Sequence, residues 1–98
     1  MAEFSDGPRP EAKVTICNSR GLHARASAKL VQCVEAFDAV VEVTRDGQTV
    51  LGTSILGLMM LTAGPGTVLH IQAHGREGPE ALEAVVELIE NGFGENDP

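Results

Sequence analysis

Along this chain the apolar residues switch repeatedly from recurring at every second position to every third or fourth, and back. That switching constrains the fold more than any other feature. A period of 2 belongs to a half-buried strand and a period of about 3.6 to an amphipathic helix. Ala12, Val14 and Ile16 alternate with Lys13, Thr15 and Cys17, the pattern of a first strand. Asn18-Ser19-Arg20-Gly21 interrupts it with loop-forming residues. From about Ala24 to near Ala36, Ala26, Leu30 and Val34, with Phe37 just beyond, line one face of a helix. Val40 to Thr44 alternates again. Asp46-Gly47 then predicts a type I′ hairpin, because both central positions of that turn need positive φ. Gln48 to Leu51 is the returning strand.

Ser54 to Thr62 differs in kind. Ser54 is a good N-cap, but Ile55, Leu56, Leu58, Met59, Met60 and Leu61 are apolar almost all round. A helix that short cannot bury every face, and Gly57 costs it ~1 kcal/mol relative to alanine. Part of the apolar set is therefore expected at the surface. Ala63-Gly64-Pro65-Gly66 ends the element. In Thr67 to Ala73, Leu69, Ile71 and Ala73 share one parity and His70 and Gln72 the other. Pro79 opens a last helix with Leu82, Val85, Val86, Ile89 and Phe93 on one face. Glu80, Glu83, Glu87 and Glu90 form its solvated face, and Gly92 is its stop.

The element order is β-α-β-β-α-β-α. Strands with one apolar face, covered by helices on that face, make an α+β open-faced sandwich. A right-handed crossover between the first two strands leaves a slot that the fourth can fill antiparallel. A four-stranded sheet of order 1-4-2-3 is the expectation. Residues 1–11, with two prolines and no period, read as a disordered tail, residues 12–93 as the domain, and 94–98 as a polar tail.

Composition narrows the function. A formal charge of −7 argues against a nucleic-acid backbone as partner. No apolar run approaches the ~20 residues of a membrane span. The acidic start, Met1-Ala2-Glu3-Phe4-Ser5-Asp6, lacks the basic and apolar regions of a signal peptide, so a cytoplasmic location is expected. Cys17 and Cys33 have no metal-like spacing around them and read as small packing residues. Neither metal nor cofactor is expected. His70 on the polar parity and His74 in the loop after it read as solvated.

The chemistry concentrates in Gly21-Leu22-His23-Ala24-Arg25-Ala26-Ser27. A helix start presents unpaired N–H groups and the positive end of the helix dipole, which suits an anion. A neutral imidazole is a competent nucleophile near pH 7. A phosphoryl group on His23 would meet the amides of about Ala24 and Arg25, with the Arg25 guanidinium as charge-assisted donor. The helix-end contribution, roughly 0.3–1 kcal/mol, biases such an intermediate without trapping it.

Gly21-Leu22-His23-Ala24-Arg25 resembles the active-site motif of HPr, the histidine phosphocarrier family of the bacterial phosphoenolpyruvate phosphotransferase system. The resemblance extends over residues 12 to about 93. It includes Ser54-Ile55-Leu56-Gly57-Leu58-Met59-Met60, at the place of the family's regulatory serine and the short helix after it. It implies the open-faced sandwich fold and a stoichiometric carrier, not an enzyme, although a phosphotransferase label is in use. It further implies that Nδ1 of His23 takes a phosphoryl group from phospho-Enzyme I and gives it to an enzyme IIA protein. Ser54 would be the target of an HPr kinase in some bacterial lineages. Ile55, Leu56, Met59 and Met60 would be the docking face, on a monomer. Ala26 stands where many members have proline, and Ser27 where alanine is common. The acidic balance and the Leu-Gly-Leu-Met-Met run look more like the nitrogen-related regulatory branch than a sugar-uptake carrier. Two rivals share much of the element order. A ferredoxin-like ligand-binding regulator would leave His23 and Arg25 unexplained, and a metal-binding module would need paired thiolates near Cys17.

Overall fold

A computed structural model describes residues 3–5 and 10–95. Five strands and three helices follow in the order β1 (Glu3–Ser5), β2 (Glu11–Thr15), α1 (Ala24–Glu35), β3 (Val40–Arg45), β4 (Gln48–Leu51), α2 (Ile55–Met60), β5 (Val68–His74) and α3 (Gly78–Glu90), with a 3-10 turn at Gly92–Gly94. The strands form one antiparallel sheet of order β1-β2-β5-β3-β4. Apart from β1, this is the expected 1-4-2-3 arrangement.

One-sided alternation does what it predicts. Ala12 and Val14 of β2, Val41 and Val43 of β3, and Leu69, Ile71 and Ala73 of β5 all point into a single core. Leu30 and Val34 of α1 and Leu82, Val85, Val86 and Ile89 of α3 close it from the helical side. Fully burying an aliphatic side chain of this size contributes ~1.5–3 kcal/mol, so this shared face dominates the stability of a chain with three phenylalanines and no tryptophan or tyrosine. Asp46 and Gly47 both have positive φ, 47° and 82°, as the type I′ turn requires. In α2 only Leu58 is buried, whereas Leu56 and Met60 are 75% and 68% exposed. Among the described residues no helix is long and apolar enough to cross a membrane.

Four details depart from the sequence reading. Glu3–Ser5, assigned to the disordered tail, pairs with β2 in the register Glu3↔Lys13, Phe4↔Ala12 and Ser5↔Glu11. It covers what would otherwise be an open edge with unpaired backbone groups. Glu11, assigned to the same tail, opens β2, and its carboxylate lies 2.7 Å from Nε2 of His70. His70 is therefore partnered on the open face of the sheet, where its ring and Lys13 are cross-strand neighbours. His74 is the last residue of β5, paired with Val40, and not part of a loop. In the predicted C-terminal tail, Gly94 closes the 3-10 turn and Glu95 packs against Asn18 and His23; residues 1–2, 6–9 and 96–98 of the two predicted tails lie outside the described residues.

Candidate functional site

Two loops meet where α1 begins. Gly21 has φ +61°, and the Leu22 amide donates to the Ala63 carbonyl at 2.9 Å. A Cβ on residue 21 would stand 2.0 Å from that same oxygen, so glycine is required for the two backbones to come this close. The contact sets His23 beside the end of α2. Arg20, Leu22, His23, Met59, Thr62, Ala63 and Gly64 line an open cleft of about 320 Å³.

His23 is the N-cap of α1, and its side chain makes no capping bond. The amides of Ala24 and Arg25 have no backbone acceptor among the described residues. Both residues are exposed, so the helix start faces solvent. The imidazole, 23% exposed, is held from the other side. Its Nε2 lies 2.5 Å from Oε2 of Glu95, whose side chain is 13% exposed. The second carboxylate oxygen accepts from Nδ2 of Asn18 at 3.0 Å, and that same amide group donates to the Gly21 carbonyl. First the Asn18 amide and then the His23 ring hold the Glu95 carboxyl below the usual carboxylate range. Glu95 is thus ionised at neutral pH and can only accept, which puts the ring proton on Nε2. Nδ1 keeps its lone pair and has no hydrogen-bond partner among the described residues.

The structure brings His23 and the exposed amides of Ala24 and Arg25 together at the start of α1, as expected from sequence, and adds Asn18, Ser27 and Glu95, which sequence reasoning did not anticipate. Ser27 is fully buried, and its hydroxyl donates to the Leu22 carbonyl at 3.2 Å, tying the turn before His23 to the first turn of α1. A small polar residue on the buried face of a helix was the available signal. Glu95 stood in an apparent polar tail and gave none.

Ser54 caps α2, its Oγ accepting from the Gly57 amide at 3.0 Å. Arg45 serves the other end of that helix, its Nη1 donating to the Leu61 and Thr62 carbonyls at 2.8 Å each. Ile55, Leu56, Met59 and Met60 are all exposed, and Met59 shares the cleft with His23. Cys17 and Cys33 are free, and burial pushes the Cys33 thiol up. No metal-binding group of side chains occurs among the described residues.

Residues 10–91 match the family model described as the PTS HPr component phosphorylation site. The chain belongs to the HPr family. It is 46% identical over 83 residues to the phosphocarrier protein HPr of Cupriavidus necator, covering 85% of this chain and 93% of that one. Against HPr of Pseudomonas aeruginosa the identity is 45% over 89 residues, covering 90% and 99%. The phosphocarrier protein NPr of Shewanella violacea is 38% identical, covering 87% and 93%. Among solved structures, an HPr from Thermoanaerobacter tengcongensis superposes with a TM-score of 0.84 at 39% identity, covering 89% of this chain and 98% of that one. Members of the HPr family carry a phosphoryl group between phosphotransferase-system proteins and are not catalysts, so the ligand-binding and metal-binding rivals fall away.

Proposed function

We propose that this HPr-family protein accepts a phosphoryl group on Nδ1 of His23 from phospho-Enzyme I and donates it to an enzyme IIA protein. The observation that carries the reading is the state of the His23 ring. One nitrogen is engaged by Glu95, and the other stands free at an exposed helix start. In the transfer the Nδ1 lone pair attacks phosphorus, the N–P bond forms, and the bond to the donor breaks with its electron pair leaving on the donor. The Ala24 and Arg25 amides and the Arg25 guanidinium receive the phosphoryl oxygens. Arg25 has no partner among the described residues that would hold it away.

Ile55, Leu56, Met59 and Met60 form the docking face for both partners in this reading. They make an exposed apolar patch next to the cleft, and methionine adapts to more than one shape. Ser54 is the regulatory site, modified by an HPr kinase. A phosphate there would put negative charge at the edge of that patch and weaken docking. The relay operates in the cytoplasm as a monomer. A nitrogen-related regulatory role draws support from the NPr-named relative.

The test is incubation with Enzyme I and phosphoenolpyruvate, followed by intact mass. One phosphoryl group, labile in acid and absent from His23→Ala, is expected. An unchanged mass or an acid-stable adduct would overturn the reading. Offering sugar-type and nitrogen-type enzyme IIA proteins to the phosphorylated carrier then distinguishes the two roles by which one is labelled.

A further inference from the structure

Glu95 lies beyond the residues matched by the family model, which end at 91. Yet the fold delivers its carboxylate to His23 by a specific route. Gly92, Phe93 and Gly94 all have positive φ, which bends the chain back after α3. Phe93 is 1% exposed and anchors the bend in the core, while Nζ of Lys29 donates to its carbonyl at 2.6 Å and clasps the bend to α1. Asn18, only 2% exposed, then divides the work of the carboxylate. Oε1 receives the Asn18 amide and Oε2 faces Nε2 of His23. The amide orientation is set by chemistry. Turned the other way, its oxygen would meet the Gly21 carbonyl and the carboxylate, both acceptors.

Resting on the carrier reading above, we propose that Glu95 is a positioning residue for phosphoryl transfer: its carboxylate keeps the ring proton on Nε2, leaves Nδ1 as the nucleophile, and balances the charge the ring gains on phosphorylation. When the Nδ1 lone pair forms the N–P bond, the ring retains its Nε2 proton and becomes cationic. The Nε2–H···carboxylate hydrogen bond is then charged on both sides and strengthens as the bond to phosphorus forms. An interaction stronger in the transition state than in the resting protein raises the rate of transfer and leaves docking alone. A carboxylate stabilises the imidazolium of a Ser-His-Asp triad in the same sense. Among the described residues, Lys29 of α1 acts electrostatically on the Glu95 carboxylate, and Arg20 lines the cleft with His23.

Substituting glutamine makes the test sharp. Glutamine has one oxygen, which the Asn18 amide occupies, so its NH₂ faces His23 and donates to Nε2. The ring proton then moves to Nδ1, the nitrogen that should attack. Full-length wild type, Glu95→Ala and Glu95→Gln, labelled with ¹⁵N-histidine, are compared by ¹H–¹⁵N correlation at about pH 8, above the ordinary histidine range. The wild type should show a protonated Nε2 and an unprotonated Nδ1, Glu95→Ala a mixture, and Glu95→Gln the reverse. With phospho-Enzyme I as donor, the transfer rate of Glu95→Ala should fall roughly tenfold, the low end for a charge-assisted hydrogen bond. Glu95→Gln should fall further, with the KM for Enzyme I unchanged in both. A wild-type nitrogen pattern in Glu95→Gln, wild-type rates in both variants, or a loss confined to KM would overturn the proposal. A wild type that takes no phosphoryl group would overturn the carrier reading, and the tautomer measurement on the unphosphorylated protein would still decide whether Glu95 sets the ring.

Discussion

The backbone of Gly21 passes so close to Ala63 that a methyl group on residue 21 would stand 2.0 Å from the Ala63 carbonyl oxygen. This approach joins the loop before α1 to the loop after α2, and so brings His23 to the apolar patch. Gly21→Ala must both relieve that overlap and adopt φ +61°. A left-handed non-glycine residue alone costs about 1–3 kcal/mol. We expect a loss of at least about 2 kcal/mol, lowering Tm by roughly 10 °C in a domain of this size. An unfolding midpoint equal to wild type would show that the loops are not locked together.

Ser54 separates capping from charge. Ser54→Ala loses the bond to the Gly57 amide and should cost ~1 kcal/mol in urea unfolding. Ser54→Asp keeps a capping oxygen, so its stability should stay near wild type while its KM as a substrate of Enzyme I rises. Equal KM values for wild type and Ser54→Asp would remove the basis for a regulatory phosphate here.

Leu56 and Met60 are the most exposed residues of the α2 patch. Replacing both with serine should change folding stability by no more than about 0.5 kcal/mol, as for surface positions generally. If they are central to docking, the affinity for Enzyme I should drop roughly tenfold or more. The pair of readouts is decisive, since a fold-wide effect would move stability as well.

Acid should loosen the C-terminal clasp. The Asn18 amide and the His23 ring lower the Glu95 carboxyl below its unfolded value. A group depressed in this way adds stability above the ordinary carboxylate range, about pH 4.3. That contribution is lost as pH falls through the lower folded value. Glu95→Gln removes the titration, so its stability should decline less steeply than wild type in that acid window. Superimposable acid limbs in urea unfolding would contradict the clasp.

Much of this protein is determined by residues acting on near neighbours. Val14, Leu69 and Val43 alternate with polar residues whatever they pack against, and Asp46-Gly47 needs only its own φ angles to turn the chain. Ser54 finds its capping partner three residues on, and His23 stands at a helix start because helix-forming residues follow it. These signals are local and periodic, so the sheet order, the helical layer, the exposed patch and the place of His23 at a helix start were all legible in advance. The tertiary structure decided the rest. Glu3–Ser5 becomes a strand because β2 offers it an edge, and Arg45 closes a helix that follows it by a whole turn and strand. Asn18 and Glu95 meet at His23 from opposite ends of the chain, held by a buried phenylalanine and a lysine from a third element. Such contacts carry no period and no motif. They arise from the closure of the whole core, and they choose which nitrogen of His23 is free.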